Sequence, residues 1–469
     1  MLLGILLFTR FYNLTDRPLH HDEGVNGYFM NNLFYNGYYQ YNPQNYHGPF
    51  FYFINLPAFA VFGSTILGLR ITAAIFGCLI FFLLLTLKKK YSAVGFLAIL
   101  SFFVLSPSIT YYSRYAIHEI FFVFFTLCFY ISLTFFIEKK NSDYLYLSAA
   151  CLGFLFTIKE TAYIVAFIFF IYFIFAEIFL YKKEKKFFYF RLIKENSKNF
   201  LFALLIFVSI IFIFYSNFFH NLKGVFDIIV SLYYWINAGT TGHVKSFFYF
   251  INLLIYYELP IFVFGIIGVF YSVKNKKNLL LVWWALSILL IYSLIPYKTP
   301  WLLPNMVLPF ILLAGYGIAV FCKNKKLSNK FFLILILISV FYLSYHLISV
   351  NFIHPSEDYK NSFAYAHTTE DIKWVFEKIE VSGYKKVAMI GEYRESYWPL
   401  PFYLQNYKII YGNSTSVNVS DEDILIMYQQ FTNQFSDEDL MKYKEYNFQL
   451  RPNIWTKLYI RKFDNNLSN

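Results

Sequence analysis

The chain has 469 residues, of which 58% are hydrophobic, 23% aromatic and only 14% charged. A soluble protein cannot bury that much apolar surface, so the composition predicts a polytopic membrane protein. The formal net charge of +12 alone would fit nucleic-acid binding, but the lysines occur in short clusters between apolar segments, as in cytoplasmic membrane loops. The four cysteines all lie in apolar stretches and indicate neither a disulfide framework nor a zinc site.

The opening segment, Met1–Leu14, is apolar and lacks the basic start and small-residue cleavage site of a signal peptide. We therefore interpret it as a first membrane span. It is short, because a spanning helix requires about 20 residues. Either the segment is tilted in a thin region of the membrane or the chain begins further upstream.

Residues 17–28, RPLHHDEGVNGY, form a polar stretch in an otherwise apolar part of the chain. A segment with helical periodicity follows, so Asp22 and Glu23 are predicted at a helix start, where the chain leaves the membrane. Asp22 could act only as a helix cap, but capping requires one acid and explains neither His20, His21 nor Glu23. A metal site made of these four residues is a weaker alternative, because adjacent residues at a helix start point apart.

Lysine-rich clusters divide the membrane part into intervals that can each hold two helical spans. If every cluster is cytoplasmic, each interval crosses the membrane outward and back, and the turns between clusters lie outside. About eleven spans are expected, with Pro49–Phe62 lying in the membrane interface. The clusters are Lys88–Lys90, Glu138–Lys140, Lys182–Lys198, Lys274–Lys277 and Lys323–Lys330.

The composition changes after residue 350 and predicts two domains: a transmembrane domain over 1–350, with an external loop at 15–48, and an extracytoplasmic α/β domain over 351–469. In the second domain the pattern predicts helices and strands in alternation. The helices are expected at 367–380 and 436–446, and the strands at 385–392, 408–412, 422–430 and 456–462.

The predicted external face combines a carboxylate pair with basic residues, and this combination suits displacement at a sugar carbon that carries a phosphate leaving group. Asp22 would take the proton of an acceptor hydroxyl as general base. Arg114, Lys159 and Lys298 would neutralise the charge that develops on the departing phosphate. Arg70, at the start of a span, fits either a donor contact or a structural ion pair. Composition alone does not separate this enzyme from an anion transporter.

Six motifs in order resemble the GT-C superfamily of polyprenyl-phosphate-sugar glycosyltransferases, which includes protein O-mannosyltransferases and aminoarabinose transferases. The chain is most similar to a prokaryotic GT-C-like family described as flippase-associated. The resemblance covers nearly the whole chain and implies a GT-C-like helical membrane fold. The motifs are RPLHHDEGVN, YHGPFFY, SRYAIHE, IKETAY, YKTPWLLPNMVLP and SYWPLPFYLQNY.

Position by position, the resemblance implies roles for residues near the first external loop. Asp22 matches the acid taken as the catalytic base of the superfamily, with Glu23 beside it. His47 falls where mannosyltransferases have a His-Pro-Pro turn near the donor.

Later motifs imply contacts with the donor. Arg114 matches an arginine that contacts the donor phosphate, and Glu119 lies near the acid of that motif. Lys159 matches a lysine that other members follow with glycine, whereas Glu160 follows here. Lys298 resembles a late lysine before the last proline-rich turn.

The leading hypothesis is an inverting, membrane-embedded glycosyltransferase on the outer face of the cytoplasmic membrane. Its substrates would be a polyprenyl-phosphate sugar and a hydroxyl of a glycan, lipid or protein acceptor. No cofactor is expected, and no divalent metal, because the chain has no DxD pair of the oligosaccharyltransferase kind. No nucleic-acid partner is expected. The alternatives are a non-catalytic lipid-linked-sugar binder or flippase-associated protein, and a structural membrane scaffold.

Overall fold

The computed structural model describes residues 1–45, 47–184, 187–323, 329–391, 397–412, 417 and 421–462. It confirms the predicted architecture, in which a bundle of apolar helices is followed by a small domain with a five-stranded sheet. Several predicted features extend beyond these residues. They are parts of the lysine clusters 182–198 and 323–330, the first residue of the YHGPFFY motif, the last residue of the predicted strand 385–392, and the first residue of the SYWPLPFYLQNY motif.

Seventeen α-helices precede the sheet domain in the described part of the chain. In chain order they are α1 (Leu2–Phe11), α2 (His21–Asn36), α3 (Phe50–Phe62), α4 (Ile66–Leu85), α5 (Ala93–Leu105), α6 (Pro107–Tyr112), α7 (Glu119–Lys139), α8 (Ser142–Ile158), α9 (Ala162–Glu184), α10 (Phe188–Glu195), α11 (Ser197–Tyr215), α12 (Lys223–Thr241), α13 (Tyr249–Tyr257), α14 (Leu259–Lys274), α15 (Leu279–Leu294), α16 (Leu303–Lys323) and α17 (Asn329–Ile348).

Six described helices are long and apolar enough to cross a membrane, and a seventh span results if α13 and α14, which meet at a bend of 110°, count as one. Five shorter apolar helices accompany them. One of these is α3, which the sequence places in the interface. The predicted number of about eleven spans is reached when the other four, α1, α5, α8 and α15, are counted as crossing.

Glycines let three of the helices approach each other closely. A Cβ atom on Gly268 of α14 would overlap the backbone of Leu313 in α16, and one on Gly317 of α16 would overlap the backbone of Phe264. On the other side of α16, a Cβ on Gly95 of α5 would overlap the carbonyl of Gly315. The core of the bundle is therefore packed backbone against backbone at these positions.

The sheet domain contains α18 (Asp371–Ser382), β1 (Lys386–Ile390), α19 (Leu400–Tyr403), β2 (Lys408–Gly412), β3 (Ile424–Tyr428), α20 (Asp437–Leu440), β4 (Tyr443–Arg451) and β5 (Ile454–Arg461). The strand order is β2-β1-β3-β5-β4, with β1 parallel to both neighbours and β5 antiparallel to β3 and β4. The predicted first helix and all four predicted strands are confirmed.

The second predicted helix of this domain, at 436–446, is wrong over most of its length. Only Asp437–Leu440 is helical, and β4 begins at Tyr443. Pairing with β5 decides the difference, because it places Phe448 and Leu450 in the interior and satisfies the backbone of a segment rich in charged residues.

We expect Gly268→Ala to destabilise the bundle by about 1–3 kcal/mol, because the new methyl group meets backbone that cannot rotate away. The measurement is the midpoint of thermal unfolding of the purified protein in detergent. Gly4→Ala is the matched control, since a Cβ at Gly4 of α1 meets no atom within 4 Å. Equal unfolding midpoints for the two variants would contradict the packing described here.

Candidate active site

The helix that carries the acid pair begins with a reciprocal cap. His20 precedes α2, and its Nδ1 accepts a hydrogen bond of 3.0 Å from the backbone N–H of Asp22. The Glu23 carboxylate accepts a bond of 3.0 Å from the backbone N–H of His20. Two donors that a helix start otherwise leaves unpaired are thus satisfied, and the first turn of α2 is fixed.

Glu23 lies in a fully buried cluster of cations and donors. The Arg70 guanidinium donates to both of its carboxylate oxygens, at 2.7 and 2.6 Å, and the backbone N–H of Ala116 donates at 2.9 Å. The Arg17 guanidinium lies 3.7 Å away. Burial by itself raises the pKa of Glu23, but these cations, Arg70 above all, lower it to about 2.

This placement differs from the catalytic position predicted for Glu23, whose catalytic role stays a prediction. Its carboxylate is enclosed by protein, with no exposed surface, and it does not line the cavity described below. Its oxygens are all engaged in holding α2 against α4 and the segment before α7. The sequence allowed Arg70 either a donor contact or a structural ion pair, and the structure shows the ion pair with Glu23.

Asp22 lies on the other side of the same helix turn, at a cavity of about 560 Å³. Its side chain is 41% exposed. The Nδ1 atom of His21 lies 3.1 Å from Asp22 Oδ1. Burial raises the pKa of Asp22, but the hydrogen bond from His21 and the neighbouring His20 and His47 outweigh it and hold the pKa below the usual range.

The cavity is lined by both ionisable side chains and aromatic rings. The lining residues include His21, Asp22, Asn26, His47, His118, Glu119, Lys159, Glu160, Trp235, His243, Tyr292, Tyr297 and Trp301. They come from elements far apart in sequence, and of the residues predicted for the site Asp22, His47, Glu119 and Lys159 meet here.

Two pairs of polar side chains are in contact at the cavity wall. Lys159 at the end of α8 donates to Glu119 at the start of α7. His47 Nδ1 lies 3.2 Å from a carboxylate oxygen of Glu160. Gly48 makes the second pair possible, since a Cβ there would overlap the backbone of Thr157 at the end of α8.

Arg114 and Lys298 do not line the cavity, and their contact with the donor phosphate stays a prediction. The Arg114 guanidinium donates to the carbonyls of Thr9 and Asn13, each at 3.0 Å, and so satisfies the C-terminal end of α1. The Lys298 ammonium donates at 2.5 Å to the carbonyl of Ile295, which ends α15. Both cations stabilise helix ends next to the site.

The sheet domain presses on α2 from the side away from the cavity. Cβ atoms on Gly24 and Gly27 would overlap Pro399 and Phe402, respectively. The backbone N–H of Leu19 donates to the Tyr403 hydroxyl at 2.9 Å. The segment around α19 therefore holds the helix that carries Asp22.

Comparison with known proteins identifies the fold of the chain. A family model described as dolichyl-phosphate-mannose-protein mannosyltransferase matches residues 46–193, less than half of the chain. Among solved structures, ArnT of Cupriavidus metallidurans in the apo state superposes with a TM-score of 0.65 at 12% identity, over 97% of each chain. The chain has a GT-C fold. No curated protein matches it by sequence.

Two further structures share this GT-C fold. ArnT of the same organism bound to undecaprenyl phosphate has a TM-score of 0.65 at 11% identity, over 97% of each chain. The Archaeoglobus fulgidus oligosaccharyltransferase, in a complex with zinc and sulfate, has a TM-score of 0.59 at 12% identity and is covered over 71% of its length by 96% of this chain. The predicted resemblance to the GT-C superfamily is confirmed by these matches.

Sequence reasoning missed several residues of the GT-C cavity. Asn26 follows Asp22 by four residues, so helical spacing alone would have placed it on the same face. His243, Trp301 and Tyr292 have no such signal, because they reach the cavity from segments more than 200 residues away. Within the described ranges, no group of three or more His, Cys, Asp or Glu side chains could hold a metal ion.

Substitutions of the neighbouring acids Glu23 and Asp22 are predicted to change the free energy of unfolding by different amounts. Glu23→Gln leaves Arg70 buried beside a neutral group, and we expect a loss of about 3–5 kcal/mol in the free energy of unfolding. Asp22→Asn, at a half-exposed position, is the matched control and should change it by no more than about 1 kcal/mol. Denaturant unfolding in detergent, followed by tryptophan fluorescence, measures both. Similar losses for the two variants would contradict these assignments.

Glu23 also predicts an acid limit to stability. Its folded-state pKa of about 2 lies below the ordinary 4.5, so its contribution is complete above about pH 4.5 and is lost as the pH falls towards 2. The loss should reach about 3 kcal/mol in the wild type. It should be absent from Glu23→Gln, and a wild-type stability that stays constant from pH 5 to pH 2 would contradict the ion pair.

Proposed function

We propose that this protein is a membrane-embedded, inverting glycosyltransferase. It would move a sugar from a polyprenyl-phosphate-linked donor to an acceptor hydroxyl on a glycan, lipid or protein. One observation carries the proposal: an ionised, half-exposed Asp22 and a lysine, Lys159, line the same cavity in a GT-C fold. The partial match to a mannosyltransferase family model supports the same reaction class.

In this reaction the acceptor oxygen attacks the anomeric carbon from the face opposite the phosphate, so the configuration inverts. Asp22 supplies the negative charge that draws the proton from the acceptor hydroxyl. Lys159 supplies the positive charge that stabilises the departing phosphate. Among the described cavity residues Lys159 is the one lysine, and no arginine is present, so the phosphate belongs at the Lys159 end.

The pairs Glu119–Lys159 and His47–Glu160 prepare this end of the cavity. Glu119 fixes the direction of the Lys159 ammonium without donor bound, so little reorganisation is needed when the phosphate arrives. Glu160 fixes the His47 ring in the same way. The ring of His47 also packs on that of His118, with centroids 4.7 Å apart.

A second, apolar cavity supports a lipid-linked donor. It has a volume of about 440 Å³ and lies between α9 and α15, with Tyr172, Val282 and Leu290 in its wall. The same two helices contribute Ile164 and Tyr292 to the catalytic cavity. A polyprenyl chain whose phosphate lies at Lys159 would extend along this groove. A neighbour of the same fold binds undecaprenyl phosphate.

We place the cavity on the extracytoplasmic side. Helices α7, α9 and α16 all begin beside the cavity. Helices α7 and α16 end at Lys139 and Lys323, and the last turn of α9 contains Lys182. Since cytoplasmic loops carry the excess of lysine and arginine, this polarity puts the opposite end, with the sheet domain, outside.

The test of the function is sugar transfer in proteoliposomes from a panel of radiolabelled polyprenyl-phosphate sugars, with wild type and Asp22→Asn compared. We expect the variant to lose at least about 100-fold in kcat, because it lacks the charge that accepts the proton. Donor binding, measured by filter retention, should be unchanged. Binding by both proteins without transfer to any acceptor would favour a non-catalytic binder or flippase component.

The phosphate site has its own test. Replacing Lys159 alone would strand Glu119, so we choose the double variant Lys159→Met/Glu119→Gln, which removes both charges. Its donor KM should rise by about 10–100-fold, as expected for the loss of a charged hydrogen bond worth about 1.5–3 kcal/mol. Lys223→Met, at the start of α12, is the control for the general loss of a lysine. Unchanged KM in the double variant would place the phosphate elsewhere.

A further inference from the structure

We infer that α12 is a membrane-docking surface: one face contacts the lipid on the cavity side of the membrane, and the other face forms a wall of the catalytic cavity. The partner of the outward face is the lipid surface itself. This position of the helix is independent of the proposed sugar transfer, and also of which side of the membrane holds the cavity.

The outward face of α12 is apolar, whereas its inward face includes buried polar side chains. Phe226, Ile229 and Tyr233 recur at helical spacing on the outward face and are 72%, 75% and 64% exposed, respectively. On the inward face, Asp227 and Ser231 are buried. A helix that faces water has the reverse arrangement, with its polar side chains outside. The surroundings of the outward face are therefore apolar.

Helix α18 of the sheet domain shows the pattern of a water-facing helix in the same chain. Its exposed positions include Lys373, Glu377 and Lys378, and its buried positions include Ile372 and Val375. Neither α12 nor α18 is among the described helices that are long and apolar enough to cross a membrane. Their polarities are nevertheless opposite, because α18 faces water and α12 faces lipid.

Both ends of α12 are attached to ends of membrane helices. At its start, a Cβ on Gly224 would overlap the carbonyl of Tyr215, the last residue of α11. At its end, the carbonyl of Gly239 accepts a hydrogen bond of 3.3 Å from the backbone N–H of Tyr297, which follows α15. Helices α11 and α15 both begin beside lysine clusters, so these ends lie on the same side of the membrane. A helix of 19 residues is about 28 Å long, so α12 runs across this end of the bundle.

The apolar surface of α12 continues onto the spanning helix α11. In the turn between the two helices, Phe219 and Leu222 are exposed. The ring of Phe219 packs on that of Phe212 in α11, with centroids 5.6 Å apart. Farther along α11, Leu204 and Leu205 are exposed as well. A large exposed apolar patch marks a protein or a membrane interaction site, and continuity with a membrane span favours the membrane.

The second half of α12 separates this lipid from the catalytic cavity. Trp235, Ala238 and Gly239 line the cavity. Trp235 follows the outward-facing Tyr233 by two residues, a rotation of about 200° around the helix, so the two rings point to opposite sides. The cavity and the lipid are therefore separated by the thickness of one helix, about 10 Å.

The first measurement uses the wild-type protein in nanodiscs that contain phospholipids with a photoactivatable diazirine in the upper part of the acyl chain. After illumination, mass spectrometry of peptides should find lipid adducts on α12, because an interfacial helix lies about 5–10 Å into the boundary between headgroups and acyl chains. Adducts on α11 are the positive control, and α18 should carry none. Adducts on α11 without any on α12 would overturn the inference.

The second measurement compares Ile229→Cys on α12 with Lys378→Cys on α18, each labelled with bimane after the four native cysteines have been replaced by alanine. Phospholipids with a spin label next to the headgroup should quench the label at position 229 by at least about twofold. Aqueous iodide should quench the label at position 378 instead.

Iodide quenching at both positions, without lipid quenching at position 229, would overturn the inference and indicate that a partner protein covers α12 in the cell membrane. The crosslinking measurement requires no substitution, so it decides the question even if the cysteine-free chain does not fold. A wild type that transfers no sugar would contradict the proposed function but would leave both lipid measurements unchanged.

Discussion

The buried ion pair between Glu23 and Arg70 is the constraint on which the rest of the site depends. Removing two charges from water is costly, and here the cost is offset by a bidentate contact and by a backbone donor from Ala116. Arg70 also donates to the carbonyls of Leu14, Arg17 and Pro18, which lead into α2. One side chain thus fixes the path of the loop before α2 and the direction in which α2 begins.

Because α2 is held in this way, the adjacent acids Asp22 and Glu23 differ in burial and in their contacts. Glu23 faces the protein and has its oxygens occupied, while Asp22 faces the cavity and retains exposed surface. The difference is one of environment, because the side chains are nearly the same in chemistry. Glu23 therefore stabilises the helix start, whereas Asp22 remains available for the base role proposed above.

The sheet domain belongs to the support of this site. Its segment around α19 lies against two glycines of α2, and Gln405 donates at 2.8 Å to the carbonyl of Ser64 just before α4. The chain leading into the domain also reaches the cavity, where the hydroxyl of Tyr365 lies 2.8 Å from Nδ1 of His243. The domain therefore contacts the site both behind α2 and at the cavity rim.

The sequence by itself determined the membrane class, the α/β nature of the second domain and the importance of the stretch around Asp22. These follow from composition and from local periodicity, which neighbouring residues encode. It also identified His47, Glu119 and Lys159, whose motifs mark turns at helix ends.

Only the tertiary structure decided what each charge contacts. Arg114 and Lys298 belong to motifs that the sequence assigns to the site. In the structure their side chains donate hydrogen bonds to carbonyls at the ends of α1 and α15 instead. The same reason explains β4, whose helical pattern yields to pairing with β5. A side chain's type is local, but the partner it reaches is set by elements distant in sequence.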